Sequence, residues 1–257
     1  MLFPFVGRHF VGGHEGWWMD GDGHVRRLAL HGFASHLPFE MTAADPGGSI
    51  TMTLRDTPFT RTRYPYAFEF RMTYRLLENG LEATMTVSHE APVHGMRRPM
   101  PFYAGHHFYF ELPQQLRRLS TLYLPAARMS RQLPDGTLAP FTPGDRAYSV
   151  DDATLMDCYH VLDEPGTVLL AIPPHPRAPT GRRIRVELDG APDPWYAVTT
   201  WTQRQSPADF YCVEPWMGLA NAIHHGHGLR LLAPGDSTRA TCRLVIESGS
   251  QAPCASP

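Results

Sequence analysis

YAFEFRMTYRLLENGLEATMTVSHE, residues 66–90, consists of two alternating runs joined at a turn dipeptide. From Tyr66 to Leu77 and again from Leu81 to Glu90, apolar and polar residues exchange places at nearly every step. That is the period of a strand whose successive side chains point to opposite faces. Asn79-Gly80, between the runs, carries strong hairpin-turn chemistry. The stretch predicts an antiparallel hairpin with one face buried and the other wetted.

The same rhythm extends in both directions. SITMTLRD (49–56) alternates ahead of the hairpin, and GTVLLAI (166–172), RIRVEL (183–188), YAVTTWT (196–202), DFYCVEP (209–215) and TRATCRLVIE (238–247) follow it, separated by breakers. With 25 Pro and 22 Gly punctuating 257 residues, the chain has little room for long helices. The expected fold is all-β, a large antiparallel β-sandwich. No compositional seam divides the chain, so a single domain over residues 1–247 is expected, with 248–257 as a small, polar, frayed tail.

Composition narrows the function. The apolar share of 42%, with 13 Phe, 10 Tyr and 5 Trp, is enough for a real core. A formal net charge of -2 offers no basic field for a nucleic-acid backbone, so no nucleic-acid partner is expected. All 23 basic residues are arginine, which removes Schiff-base lysines and the phosphate-binding lysine of a P-loop. Neither G-x-G-x-x-G nor G-x-x-x-x-G-K occurs, so no nucleotide cofactor is indicated. Cys158, Cys212, Cys242 and Cys254 form no C-x-x-C pair and are expected to be reduced thiols. No stretch approaches the roughly 18 apolar residues that span a bilayer. A cytoplasmic protein with a small-molecule ligand and no membrane partner is the expectation.

Four segments gather titratable residues among aromatics: LALHGFASHLPFE (28–40), MPFYAGHHFYFEL (100–112), LMDCYHVLD (155–163) and FYCVEPWMG (210–218). Within the second, His106 and His107 sit at the head of an aromatic strand, and adjacent strand residues serve opposite surfaces. One of the two belongs to a different environment from the other. A register slip of one residue would exchange them.

These four segments, in this order, resemble the galactose mutarotase (aldose 1-epimerase) family, with its L-H-G, H-x-Y-F, aspartate and late glutamate segments. The resemblance runs from Leu2 to about Ile246 and includes the 66–90 hairpin. It implies a galactose mutarotase-like supersandwich and cofactor-independent interconversion of α and β anomers of an aldose. Carried over, the histidines fall on His31 and His107, the glutamate on Glu214 and the sugar-binding aspartate on Asp157. Opening the pyranose requires a proton taken from the C1 hydroxyl and one given to the ring oxygen. Glu214 is expected as the base and His107 as the acid, with His31 assisting as a hydrogen-bond partner or second donor. Trp216 and the aromatics beside His107 would offer flat faces to the C–H side of the sugar. His106 is expected to be structural.

Arg8 resembles the arginine of an early G-R segment and is a candidate sugar ligand or ion-pair partner. Two departures from the family pattern stand out. Val11-Gly12-Gly13 occupies the place of a second arginine, and the chain begins almost on the G-R segment. A sandwich lacking some N-terminal strands, and a homodimer formed through the edge so exposed, are expectations alongside a monomer. IHHGHG (223–228) and GGHEGWW (12–18) raise a metal alternative, but both read as solvated loops, and no metal is expected. The remaining alternatives are a hexose-6-phosphate mutarotase and a non-catalytic carbohydrate-binding protein.

Overall fold

The computed structural model of the chain describes residues 1–90, 98–125, 127–164, 166–188, 194–203 and 208–249. Its organising feature is the hairpin read above, formed by Phe68–Leu77 and Gly80–His89 with Phe68 opposite His89 and Leu77 opposite Gly80. The connecting residues are Glu78 and Asn79, one position earlier than the Asn79-Gly80 dipeptide suggests. Gly80 is already a strand residue, and its smallness answers a different demand. The Ser237–Ser248 strand pairs on that side, and any Cβ at Gly80 would collide with the Leu244 carbonyl oxygen.

Alternation then separates the faces. Phe68, Phe70 and Met72 point inward with Ala83, Met85 and Val87, all fully buried. Each of the larger side chains contributes on the order of 1.5–3 kcal/mol of burial energy. On the outer face, Arg75 and Arg243 both bond Glu82, at 3.0 and 2.9 Å. Such half-exposed pairs add little stability and keep the face wetted.

Two antiparallel sheets carry most of the chain. The larger has nine strands among the described residues, in the order Ala147–Ser149, Thr121–Tyr123, Thr167–Ile172, Arg182–Glu187, Ser237–Ser248, Gly80–His89, Phe68–Leu77, Ser49–Arg55 and Glu40–Asp45. The second has six: Phe108–Glu111, Phe210–Trp216, Ala197–Trp201, Cys158–Leu162, Ala127–Ser130 and Thr142–Pro143. The architecture is a large antiparallel β-sandwich, as the alternation requires. Among the described residues the α-helices are single turns, Pro58–Arg61 and Ala222–His225. No helix among the described residues is long and apolar enough to cross a membrane. The tail expected from residue 248 lies, from residue 250 onward, outside the described residues.

The first residues are part of the core. Leu2 bridges Gly105, Phe3 bridges Gly32 and Phe5 bridges Tyr103. Phe3 stacks on Phe70 at 4.6 Å between ring centroids, and Phe5 on Tyr103 at 4.5 Å. This packing delivers Gly7 and Arg8 to the mouth of a groove beside the six-stranded sheet.

Buried imidazoles make the fold acid-sensitive. His160 is fully buried on the Cys158–Leu162 strand, with Nε2 3.3 Å from Thr200 Oγ1, and burial pushes its pKa down to about 4. In the unfolded chain it titrates near the ordinary value of about 6.5. Between those values the unfolded state binds a proton that the folded state refuses, so stability falls as pH drops from about 6.5 towards 4. This one histidine should contribute a slope of about 1.4 kcal/mol per pH unit. Urea unfolding at pH 7 and pH 5 is expected to show a smaller acid loss in His160→Gln than in the unsubstituted protein. Equal losses would refute the assignment.

Candidate functional site

One groove of about 630 Å³ collects all six candidate residues, Arg8, His31, His107, Asp157, Glu214 and Trp216. Its floor is the Phe210–Trp216 strand, held between Phe108–Glu111 and Ala197–Trp201. Alternation places Cys212, Glu214 and Trp216 on the same side of this strand. Phe108 pairs with Val213, and continuing that register by one residue sets His107 opposite Glu214.

His107 and Glu214 are in direct contact, Nε2 to Oε1 at 3.3 Å. The Glu214 side chain is only 2% exposed and that of His107 17%. Burial raises the Glu214 carboxyl well above the usual carboxylate range, opposed by the nearby Trp216 indole N–H. Burial also pushes His107 down to about 4. Both shifts favour neutral partners, because a desolvated charge is costly. In the unliganded groove both shifts therefore oppose a separated carboxylate–imidazolium pair. Glu214 Oε2 is buried without a hydrogen-bond partner.

His31 sits at φ +62 in a tight turn with Gly32, whose own φ is +80. A Cβ on Gly32 would strike the Phe3 carbonyl, so the His-Gly pairing has a steric cause. The His31 Nδ1 accepts from the Gly7 N–H at 3.0 Å. With Nδ1 accepting, the neutral ring carries its proton on Nε2. Burial lowers its pKa to about 3, with His107 the next contributor. His31 is thus a neutral hydrogen-bond donor beside His107, 5.6 Å away between ring centroids. The second option weighed from the sequence, shared proton donation, does not suit so low a pKa.

His106 faces away from the groove. It is 2% exposed and stacks on Phe108 at 4.6 Å. His107 stacks instead on Tyr109, at 4.7 Å and 9°. The two neighbours occupy opposite faces, and the fully buried one is His106.

Asp157 is not strand-centred, as its segment suggested. It is the exposed turn residue before Cys158–Leu162, at φ +48, and it accepts no hydrogen bond among the described residues. His31 and Asp157 are thus two non-glycine residues in the left-handed region on one groove, a clustering that backbone strain often shows at functional sites. Arg8 lies at the rim, loosely paired with Glu15 at 3.7 Å. Trp216 is 3% exposed and closes the floor, whereas Tyr109 is 58% exposed and Trp201 half-buried along the groove.

Trp201, Thr199 and Gln132 line the groove without having been singled out by sequence. Thr199 pairs with Glu214 across the strands, and its buried Oγ1 has no partner. Only the pairing of YAVTTWT with FYCVEPW would have revealed it. In the IHHGHG cluster weighed as a metal loop, His225 Nε2 bonds the Ala220 carbonyl and His227 Nδ1 bonds Tyr196. Among the described residues, two sets of donor side chains lie close enough to hold an ion. In Asp20, Asp22 and His24, the Asp20 carboxylate is already taken by two backbone N–H groups and Arg26. The other set is His107, Cys212 and Glu214.

A family model described as aldose 1-epimerase matches residues 19–245. A galactose mutarotase related enzyme from Lactobacillus acidophilus superposes with a TM-score of 0.78 at 26% identity, covering 97% of this chain and 83% of its own. Galactose mutarotase-like proteins from Lactobacillus casei and Clostridium acetobutylicum share the fold. Their TM-scores are 0.73 and 0.68 at 19% and 16% identity; each alignment covers 96% of this chain, and 84% and 78% of theirs. No curated protein matches the chain.

The unpartnered Thr199 hydroxyl yields a stability test. Replacing a buried, unsatisfied hydroxyl by a methyl group of the same shape removes a desolvation cost, so Thr199→Val should gain about 1 kcal/mol. Urea unfolding with an unchanged m-value measures it. A loss of stability would mean that the hydroxyl is satisfied in solution.

Proposed function

Since the chain belongs to the aldose 1-epimerase family, we propose that the groove interconverts the α and β anomers of a neutral aldose, by ring opening at the Glu214–His107 pair. The observation that supports this most is the 3.3 Å contact between the two side chains in a site where burial raises the carboxyl pKa and lowers that of the imidazole. One mobile proton is what the reaction consumes and returns.

The proton rests on Glu214 in the empty groove. Its transfer to His107 Nε2 along the contact makes a carboxylate base and an imidazolium acid with no change in net charge. Glu214 then takes the C1 hydroxyl proton while His107 protonates the ring oxygen, and the C1–O5 bond breaks to give the open-chain aldehyde. Rotation about C1–C2 presents the other carbonyl face. The O5 hydroxyl attacks C1, returns its proton to His107, and the new C1 alkoxide recovers the proton held on Glu214. The sum is zero, and no redox or group-transfer step is involved.

The other residues hold the sugar. His31 donates from Nε2 to a hydroxyl beside the reacting centre, its ring oriented by the Gly7 N–H. Asp157 accepts from neighbouring hydroxyls, as a carboxylate does readily. Tyr109 and Trp201 take the apolar face of the pyranose. Arg8 is the one guanidinium among the described lining residues, and its carboxylate neighbour Glu15 competes for it. A dianionic phosphate asks for more positive charge than this, which favours an unphosphorylated aldose.

Polarimetry or anomeric NMR exchange on freshly dissolved α-D-glucose, α-D-galactose and glucose 6-phosphate tests the reading. Acceleration with a free sugar is expected. Glu214→Gln and His107→Asn should each lower turnover by about two to four orders of magnitude, the usual worth of a positioned acid or base. His106→Asn should change it far less. Sugar binding without acceleration would instead select a carbohydrate-binding protein, and equal losses at His106 and His107 would refute the facing assigned to them.

A further inference from the structure

Cys212 has no part in the sugar chemistry, yet it stands beside the reacting pair. It is fully buried on the Phe210–Trp216 strand, two residues before Glu214 on the same face, and its cross-strand neighbours are Tyr109 and Trp201. Its Sγ, a ring nitrogen of His107 and a carboxylate oxygen of Glu214 lie within 4.8 Å of one another. Glu214 Oε2 is buried without a partner, so this corner of the groove has an unused acceptor as well as three donor types.

We infer that His107, Cys212 and Glu214 form a site for a thiophilic divalent cation of the zinc class, and that an ion bound there blocks the groove. The donor set fits such an ion. Thiolate, imidazole and carboxylate are all zinc ligands, at about 2.3, 2.0–2.1 and 2.0–2.2 Å. A tetrahedral ion with those lengths separates its ligands by roughly 3.5 Å, a modest contraction of the present cluster. Hard cations such as magnesium are disfavoured by the sulfur and the imidazole. Charge also balances: one thiolate and one carboxylate neutralise the divalent ion in a buried place where excess charge would be costly. Binding releases the Cys212 thiol proton to solvent, since the thiolate is the ligand form. Three protein ligands leave the fourth position to a water molecule.

The consequence is competition. An ion on Glu214 and His107 ties up both members of the acid/base pair, so metal and anomer exchange exclude each other. The metal site itself does not depend on the sugar reading.

Cobalt(II) chloride titrated into the metal-free, full-length protein tests the site directly. A near-ultraviolet thiolate-to-cobalt absorption band that saturates at one equivalent is expected. It should disappear in Cys212→Ser and Cys212→Ala and persist in Cys254→Ser, whose cysteine lies in the tail. Zinc chloride should raise the melting temperature and slow anomer exchange competitively with sugar. Cys212→Ser should need at least about tenfold more zinc for the same effects while keeping its basal turnover. Absence of the band, or a band unchanged in the folded Cys212 variants, overturns the site. If neither Cys212 variant folds, Glu214→Gln decides: the band should weaken by at least about tenfold in apparent affinity, and an unchanged titration refutes the site. An inactive protein that still forms the band loses only the sugar reading, and an active one without the band loses only the metal site.

Discussion

The register of the Phe210–Trp216 strand is the constraint on which the groove depends. It is hydrogen-bonded on both sides, to Phe108–Glu111 and to Ala197–Trp201, so it cannot slide without breaking two ladders. Held there, it turns Cys212, Glu214 and Trp216 towards the groove and sends Tyr211 and Val213 into the core. A slip of one residue would put a valine where the carboxyl group stands. The buried carboxyl is costly on its own account, and the core packing beneath the strand offsets that cost.

Desolvation then sets the character of the groove. Glu214 is pushed up, while His107 and His31 are pushed down, so burial disfavours charge on all three. His31 is committed to one tautomer by a backbone N–H, which makes it a positioning group. In the proposed reaction these features act together. A neutral sugar replaces water without meeting a fixed charge at the reacting centre, and the proton moves between two groups already in contact. The same corner holds a thiol, which makes it receptive to a soft cation as well.

Much of the architecture was legible locally. Alternation over residues 49–56, 66–77 and 81–90 located three adjacent strands to within about two residues, because side-chain facing in a strand repeats every two positions. The turn was displaced by one residue, since Gly80 is required by contact with Leu244, which lies far along the chain. The order of four histidine, aspartate and glutamate segments brought five residues to notice and the early G-R segment brought Arg8, and all six line one groove. Thr199, Trp201 and the proximity of Cys212 to Glu214 and His107 escaped notice, because each depends on which strand lies beside which.

The sequence by itself determined the all-β class, the absence of lysine chemistry and the opposite facing of His106 and His107, for these follow from composition and from the two-residue period of a strand. Only the tertiary structure decided that Asp157 sits on a turn and that His107 and Glu214 meet in direct contact out of water. The physical reason is that facing is local, whereas burial is collective. A carboxyl group two per cent exposed between three strands has a proton affinity that no neighbouring residue in the chain could have disclosed.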